Sequence, residues 1–330
     1  MEPLRNPLPI LLSHILLAFE RDYDMTDAEL PSLPVLSNLL RVLDPAGVDI
    51  KALPELGRVS TRAIRIATQS VEQDGWLTIK SVKRGLKSVA LTSVGERLRA
   101  AGFARLEATE AAWRKRFGES EVQRLHDALA ALVGRLALEL PHYPSGYGQG
   151  DTSIHGGSYV GGDEGPPRIP SHGAEWPVVV REARGDVDQL PLSALLSQAL
   201  CAFAIDYDSI AESELAGLHT VLTYLRYAND DGMPLKQAKA LGGVTGTGRS
   251  SLERHLLVTV KSGVAYLTEH GARVRDRYPL RVVEIEEDWK KAYGKKLVQD
   301  LRGVLEHFDE KINVDVPDYV DVSGWLQRRG

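Results

Sequence analysis

At 330 residues the chain is long enough for two domains that each bury a core, and 43% apolar with 26% charged residues is ordinary for a globular protein. The net charge of −5 excludes a global pull toward nucleic acid but leaves room for a local basic face. A single cysteine, Cys201, excludes an intrachain disulfide and points to a reducing, cytoplasmic setting, where it reads as a small buried hydrophobe.

The first apolar run, Leu8 to Phe19, has no basic leader, is followed by Glu20, Asp22 and Asp24, and is too short for a bilayer. It predicts a helix packed against another helix, with no membrane partner. Leu33 to Leu43 has apolar residues at helical spacing and ends at Gly47; Ile50 to Leu56 predicts a short second helix closed by Gly57. Ser60 then supplies the cap of a third helix, Thr61 to Gln73, stopped by Asp74-Gly75. Two strand-like runs follow, Trp76 to Ile79 and Ser88 to Leu91, joined through Lys80 to Lys87 with Gly85 at the tip. Val94 to Phe117 and Ser120 to Leu138 predict two long helices.

From about Tyr143 to Gln189 the composition turns to Gly, Pro, Ser and His, which supplies neither helix nor core and marks a linker. Beyond it the first pattern returns. Leu11-Leu12-Ser13, Leu16, Ala18-Phe19 and Asp22-Tyr23-Asp24 recur as Leu195-Leu196-Ser197, Leu200, Ala202-Phe203 and Asp206-Tyr207-Asp208. Further on, Leu91-Thr92, Gly95, Arg97, Trp113, Lys115 and Gly118 recur as Leu267-Thr268, Gly271, Arg273, Trp289, Lys291 and Gly294. A unit of this length is a duplicated domain, too long for a solenoid module. The expected organisation is therefore a first copy at 1–142, a linker at 143–190 and a second copy at 191–330. The spacing between copies falls from 184 or 185 to 176, so the second copy is about nine residues shorter, a loss expected between Val71 and Leu91, on the hairpin.

Charge marks one region. In the third helix Ile64, Ala67 and Val71 form an inward stripe, leaving Arg62, Arg65 and Gln69 outward, where Arg suits guanine and Gln suits adenine in a major groove. Ser60 and Thr61 open that helix. The hairpin adds Lys80, Lys83, Arg84 and Lys87 with no acid among them, a set that suits phosphates. Nine basic residues stand against three acidic ones from Arg58 to Arg99. The corresponding positions of the second copy are expected at Thr247, Ser250 and Arg254, with a short hairpin carrying Lys261, so the two halves are expected to contribute unequally.

The order helix, turn at Val59-Ser60, helix, basic hairpin and then Leu91-Thr92-x-x-Gly95-x-Arg97 resembles the MarR family of winged helix-turn-helix transcription regulators. The resemblance spans roughly residues 8–140 and 192–313. It implies a mainly α fold with small β-wings, flanked by long dimerisation-type helices, and double-stranded DNA as partner. It also implies a small aromatic effector, for which Tyr23, Trp113, Tyr207 and Trp289 are the candidate pocket residues, although recurring helical aromatics more often build a core. Family chains carry one such domain; two fused here imply an internal pseudo-dimer, paired through Leu11 to Phe19, Val122 to Leu132, Leu195 to Phe203 and Val298 to Phe308. A docking scaffold without DNA is the alternative.

No nucleophile, base and orienter set is present, and His142, His155 and His172 lack metal-ligand spacing, so neither catalysis, metal nor cofactor is expected. Gly243 to Ser250 is one residue from a phosphate-binding loop, with Arg249 where Lys belongs. The preceding residues read as helix where such a loop needs a buried strand.

Overall fold

The computed structural model describes residues 6–24, 30–83, 86–144, 179–180, 187–209, 218–237, 252–253, 256–312 and 316–318, and is mainly helical with small antiparallel sheets. Helix α1 (Leu8–Asp24) is buried on every side, through Leu8, Ile10, Leu11, Leu12, Ile15, Leu16 and Phe19. A helix apolar all round needs neighbours all round. Short α2 (Leu33–Asn38) continues into a 3-10 turn, and the chain then enters β1 (Val48–Asp49), α3 (Leu53–Gly57) and α4 (Thr61–Gln73). The hairpin β2 (Leu77–Lys83) and β3 (Leu86–Leu91) closes a sheet of order β1-β3-β2. Helices α5 (Ser93–Phe117) and α6 (Glu119–Val133) turn sharply at Gly118, whose φ of 102° belongs to glycine.

Local signals locate α4 and the hairpin, while tertiary pairing moves two other elements. The helix expected from Ile50 starts only at Leu53, because Val48 and Asp49 pair with Val89 and Ser88 of β3 and Asp49 Oδ1 accepts from Lys51 N at 3.0 Å. Helix α6 stops at Val133, short of Leu138. Leu138 and Glu139 instead form β4, antiparallel to β5 (Val179–Val180) inside the stretch read as linker.

After a 3-10 turn at Val187–Gln189, the second copy runs through α7 (Leu192–Ser209), α8 (Leu218–Thr223), β6 (Met233–Pro234), β7 (Val258–Lys261), β8 (Val264–Leu267), α9 (Glu269–Tyr293) and α10 (Lys295–Lys311). Its sheet, β6-β8-β7, repeats the first. The repeat extends to single atoms. Trp113 Nε1 donates to Asp22 Oδ2 at 2.8 Å, and Trp289 Nε1 to Asp206 Oδ2 at 2.6 Å. Phe19 meets Trp113 edge-on at 5.1 Å, and Phe203 meets Trp289 at 5.3 Å.

The copies pack on each other through α1, α6, α7 and α10, with α1 against α7 and α6 against α10. The N-terminus of each copy's first helix crosses to the other copy, while its C-terminal half stays on its own long helix through Asp22 and Trp113 or Asp206 and Trp289. The α7 N-terminus docks on the first copy, where Leu192 N donates to Glu110 Oε1 at 2.7 Å and His126 Nε2 to the Leu190 carbonyl at 3.0 Å. Reciprocally, Leu8 N donates to Glu286 Oε1 at 3.2 Å and Arg302 Nη1 to the Asn6 carbonyl at 3.2 Å. Phe308 of α10 stacks on Trp113 and touches Phe117 across the same seam. Each such aromatic or leucine buried contributes on the order of 1.5–3 kcal/mol, so the seam is a main source of stability.

One ionic cluster also crosses between copies. Both ring nitrogens of His14 on α1 meet carboxylates of the second copy, Asp309 at 2.8 Å and Asp318 at 3.1 Å. Asp309 also accepts from Asn6 at 3.0 Å, and Asp318 faces Arg226 at 3.0 Å. Burial opposes the imidazolium, but the two carboxylates outweigh it and push His14 up to about 9.

Candidate nucleic-acid interface

Helix α4 is placed by its inward side. Ile64, Ala67 and Val71 are buried, and Thr68 Oγ1 returns to the Ile64 carbonyl at 2.7 Å. Its start is capped by Ser60, whose Oγ accepts from Ala63 N at 3.1 Å. Ser60 is itself buried. Thr61, Arg65 and Gln69 are exposed. Arg62 lies in α4 between Thr61 and Ala63.

The hairpin stands beside this face, with β2 packed against α4. Lys80 and Lys87 are exposed, Lys83 ends β2, and Arg84 lies outside the described residues. Register gives the hairpin two working faces. Lys80 is opposite Ser88 and Ser81 is opposite Lys87, so Lys80 and Lys87 project from opposite sides of the ladder. A bulge between Ser81 and Lys83 then twists the tip. Such a hairpin, edge-on in a groove, offers a cation to each wall.

The charge excess is smaller than the sequence count. Arg58 Nε donates to Glu139 Oε2 at 3.0 Å, which offsets its charge, while Arg99 donates to the neutral Leu43 carbonyl and is held there with its charge intact. Arg65, Lys80 and Lys87 have no ion pair among the described residues. Val82 and Leu86 flank the tip, 60% and 46% exposed.

In the second copy Thr247, Ser250 and Arg254 fall outside the described residues, as does the phosphate-loop-like stretch Gly243 to Ser250. Lys261 is exposed at the end of β7. The hairpin has indeed shortened, but by less than nine residues. Trp76 N bonds the Val71 carbonyl as Leu257 N bonds the Leu252 carbonyl, and Ile50 N bonds the Lys87 carbonyl as Leu235 N bonds that of Gly263. With those residues equivalent, four of the nine are lost between Leu235 and Leu252 and five within the hairpin. Sequence alone could not divide the loss, because the intervening residues share too few letters.

Tyr23, Trp113, Tyr207 and Trp289 are all buried. Tyr23 Oη donates to the Pro31 carbonyl at 3.0 Å, and the two indoles clamp Asp22 and Asp206, so these aromatics tie the first helix of each copy to its long helix. Cys201 is also buried, which pushes its thiol up to about 12 and leaves it unreactive at neutral pH. A cleft of about 360 Å³ lies between α5, α6 and the 3-10 turn, lined by Phe103, Glu107, Arg114, Gln123 and Asp188 among others. Among the described residues no cluster of three or more His, Cys, Asp or Glu is placed to hold a metal ion, and no helix is long and apolar enough to cross a membrane. Comparison of the chain with protein-family models, curated proteins and solved structures returned no match.

Proposed function

We propose that this chain is a sequence-specific regulator of transcription that binds double-stranded DNA through a winged helix-turn-helix, in which α3 and α4 form the helix-turn-helix and β2-β3 the wing. The second copy repeats that unit in reduced form, and the two pair within one chain where related regulators pair between chains. One observation carries this: an amphipathic α4 with Arg65 and Gln69 exposed on its outward face, beside a hairpin with Lys80 and Lys87 on opposite sides. A merely solvated surface has no need of unpaired cations on two adjacent elements.

A protein-docking module is the second reading, favoured by the exposed Val82 and Leu86 at the hairpin tip. Selection of bound sequences from a randomised duplex pool separates the two. Enrichment of a motif is expected, with Arg65→Ala costing about 1–3 kcal/mol on the enriched duplex and much less on random DNA. A pool that never enriches, even at low salt, would remove DNA and leave the docking module.

A further inference from the structure

Building on the DNA-binding reading, we infer that the chain is a one-armed reader, whose site is a single asymmetric half-site engaged by the first copy while the second copy acts as its mount. Three observations converge on this. The first is reach. The ladder β2-β3 runs from the pair Leu77 and Leu91 out to Lys83 and Leu86, whereas β7-β8 runs only from Val258 and Leu267 to Lys261 and Val264. The second hairpin is thus two to three residues per strand shorter, roughly 7–10 Å at about 3.3 Å per residue. It closes at once through Ser262 and Gly263, with φ of 50° and 78°. If the two hairpins approach a straight duplex symmetrically, the short one stops about a Debye length away from the phosphates that the long one meets.

The second observation is charge. The long hairpin carries Lys80, Lys83, Arg84 and Lys87, while Lys261 is the one cation from Val258 to Leu267. Affinity for the duplex backbone scales with the number of phosphates neutralised, so the second hairpin adds little even where it touches.

The third is the seam. Packing of α1 against α7 and of α6 against α10 fills the first copy's pairing surface with the second copy, and the helix N-termini lock it, through Leu192 on Glu110 and Leu8 on Glu286. That surface is already occupied, which leaves a second full reader no place to dock there. A palindrome needs two equivalent readers related by a twofold axis, and one chain supplies a single one.

The test uses the full chain and the duplex enriched by selection, read by hydroxyl-radical footprinting and by the mass of the complex. Expected are a motif without dyad symmetry, one chain per motif and protection confined to one side. Lys261→Ala should leave affinity and salt dependence unchanged within twofold, whereas Lys80→Ala with Lys87→Ala should weaken binding at least tenfold. A palindromic motif bridged by one chain, or a Lys261→Ala loss matching that of the long hairpin, overturns the one-armed reader and leaves DNA binding standing. Absence of binding to any duplex overturns both.

Discussion

Gly95 and Gly271 explain why Leu-Thr-x-x-Gly appears twice. A Cβ on Gly95 would sit 1.9 Å from the Trp76 carbonyl oxygen, and one on Gly271 would sit 1.9 Å from that of Leu257. The preceding Thr92 and Thr268 cap the helices, accepting from Gly95 N at 3.1 Å and Gly271 N at 3.0 Å. Threonine starts the helix and glycine lets it lie against the strand before the hairpin. Gly95→Ala and Gly271→Ala should each destabilise by about 1–3 kcal/mol or more, because the contact is backbone and cannot swing aside; chemical denaturation of the two variants checks this. One position departs from the repeat. Where the first copy has Gly75 at φ 73°, the second has Leu256 at φ 56°, 69% exposed. A leucine in the left-handed region costs roughly 1–2 kcal/mol. Leu256→Gly should therefore raise the free energy of unfolding by a few tenths to about 1 kcal/mol, after the entropy that glycine adds to the unfolded chain; a lowered value in chemical denaturation would refute the strain.

On the proposed function, the hairpin is the element expected to set affinity. With Lys80 and Lys87 on opposite faces, the proposed DNA binding would set each against a different line of phosphates, and their effects on salt dependence should add. Replacing either with Ala should flatten the slope of log affinity against log salt by up to about 0.9, and replacing both by about twice that. A titration in which only one of the two matters would mean that the hairpin lies flat on the duplex. Helix α4 behaves differently. Its inward stripe and Ser60 cap hold it in place, so under the proposed function Arg65→Ala should alter which sequence is preferred more than the salt slope.

At the scale of the molecule, the seam between copies carries a titratable bolt. His14 lies between Asp309 and Asp318 and is pushed from 6.5 to about 9, in spite of the burial that opposes its charge. A neutral imidazole has one N–H for two carboxylates, so deprotonation breaks one of the two bonds. Since the folded value lies above the unfolded one, this contribution is fully present below about pH 6.5, fades through the interval and is lost above about pH 9. Its size is up to about 3 kcal/mol, on the order of the shift multiplied by 1.4. Resistance of the chain to thermal unfolding should therefore fall from pH 6.5 to 9, and His14→Gln, which matches the Gln198 found at the equivalent place of the other copy, should lose that dependence. An identical pH profile in the variant would show that other groups set it.

What the sequence determined is local or repeated: the duplication itself, the α4 stripe and its cap, the Leu-Thr-x-x-Gly exit, and the basic hairpin. Helical periodicity, caps and turn glycines act over a few residues, and a duplicated string needs no folding to be seen. The tertiary structure decided what depends on partners far along the chain. The helix expected from Ile50 starts only at Leu53 because Val48 and Asp49 pair with Val89 and Ser88, and Leu138 pairs with Val180 across the linker stretch. Arg58 drops out of the basic patch because Glu139 reaches it. The docking of the α1 and α7 N-termini across the seam rests on Glu110 and Glu286, two acids with no local signature, whose role arises only when the other copy's helix N-terminus arrives. Hydrogen bonds and charge pairs act over a few ångströms of space, and only the folded chain says which residues share that space.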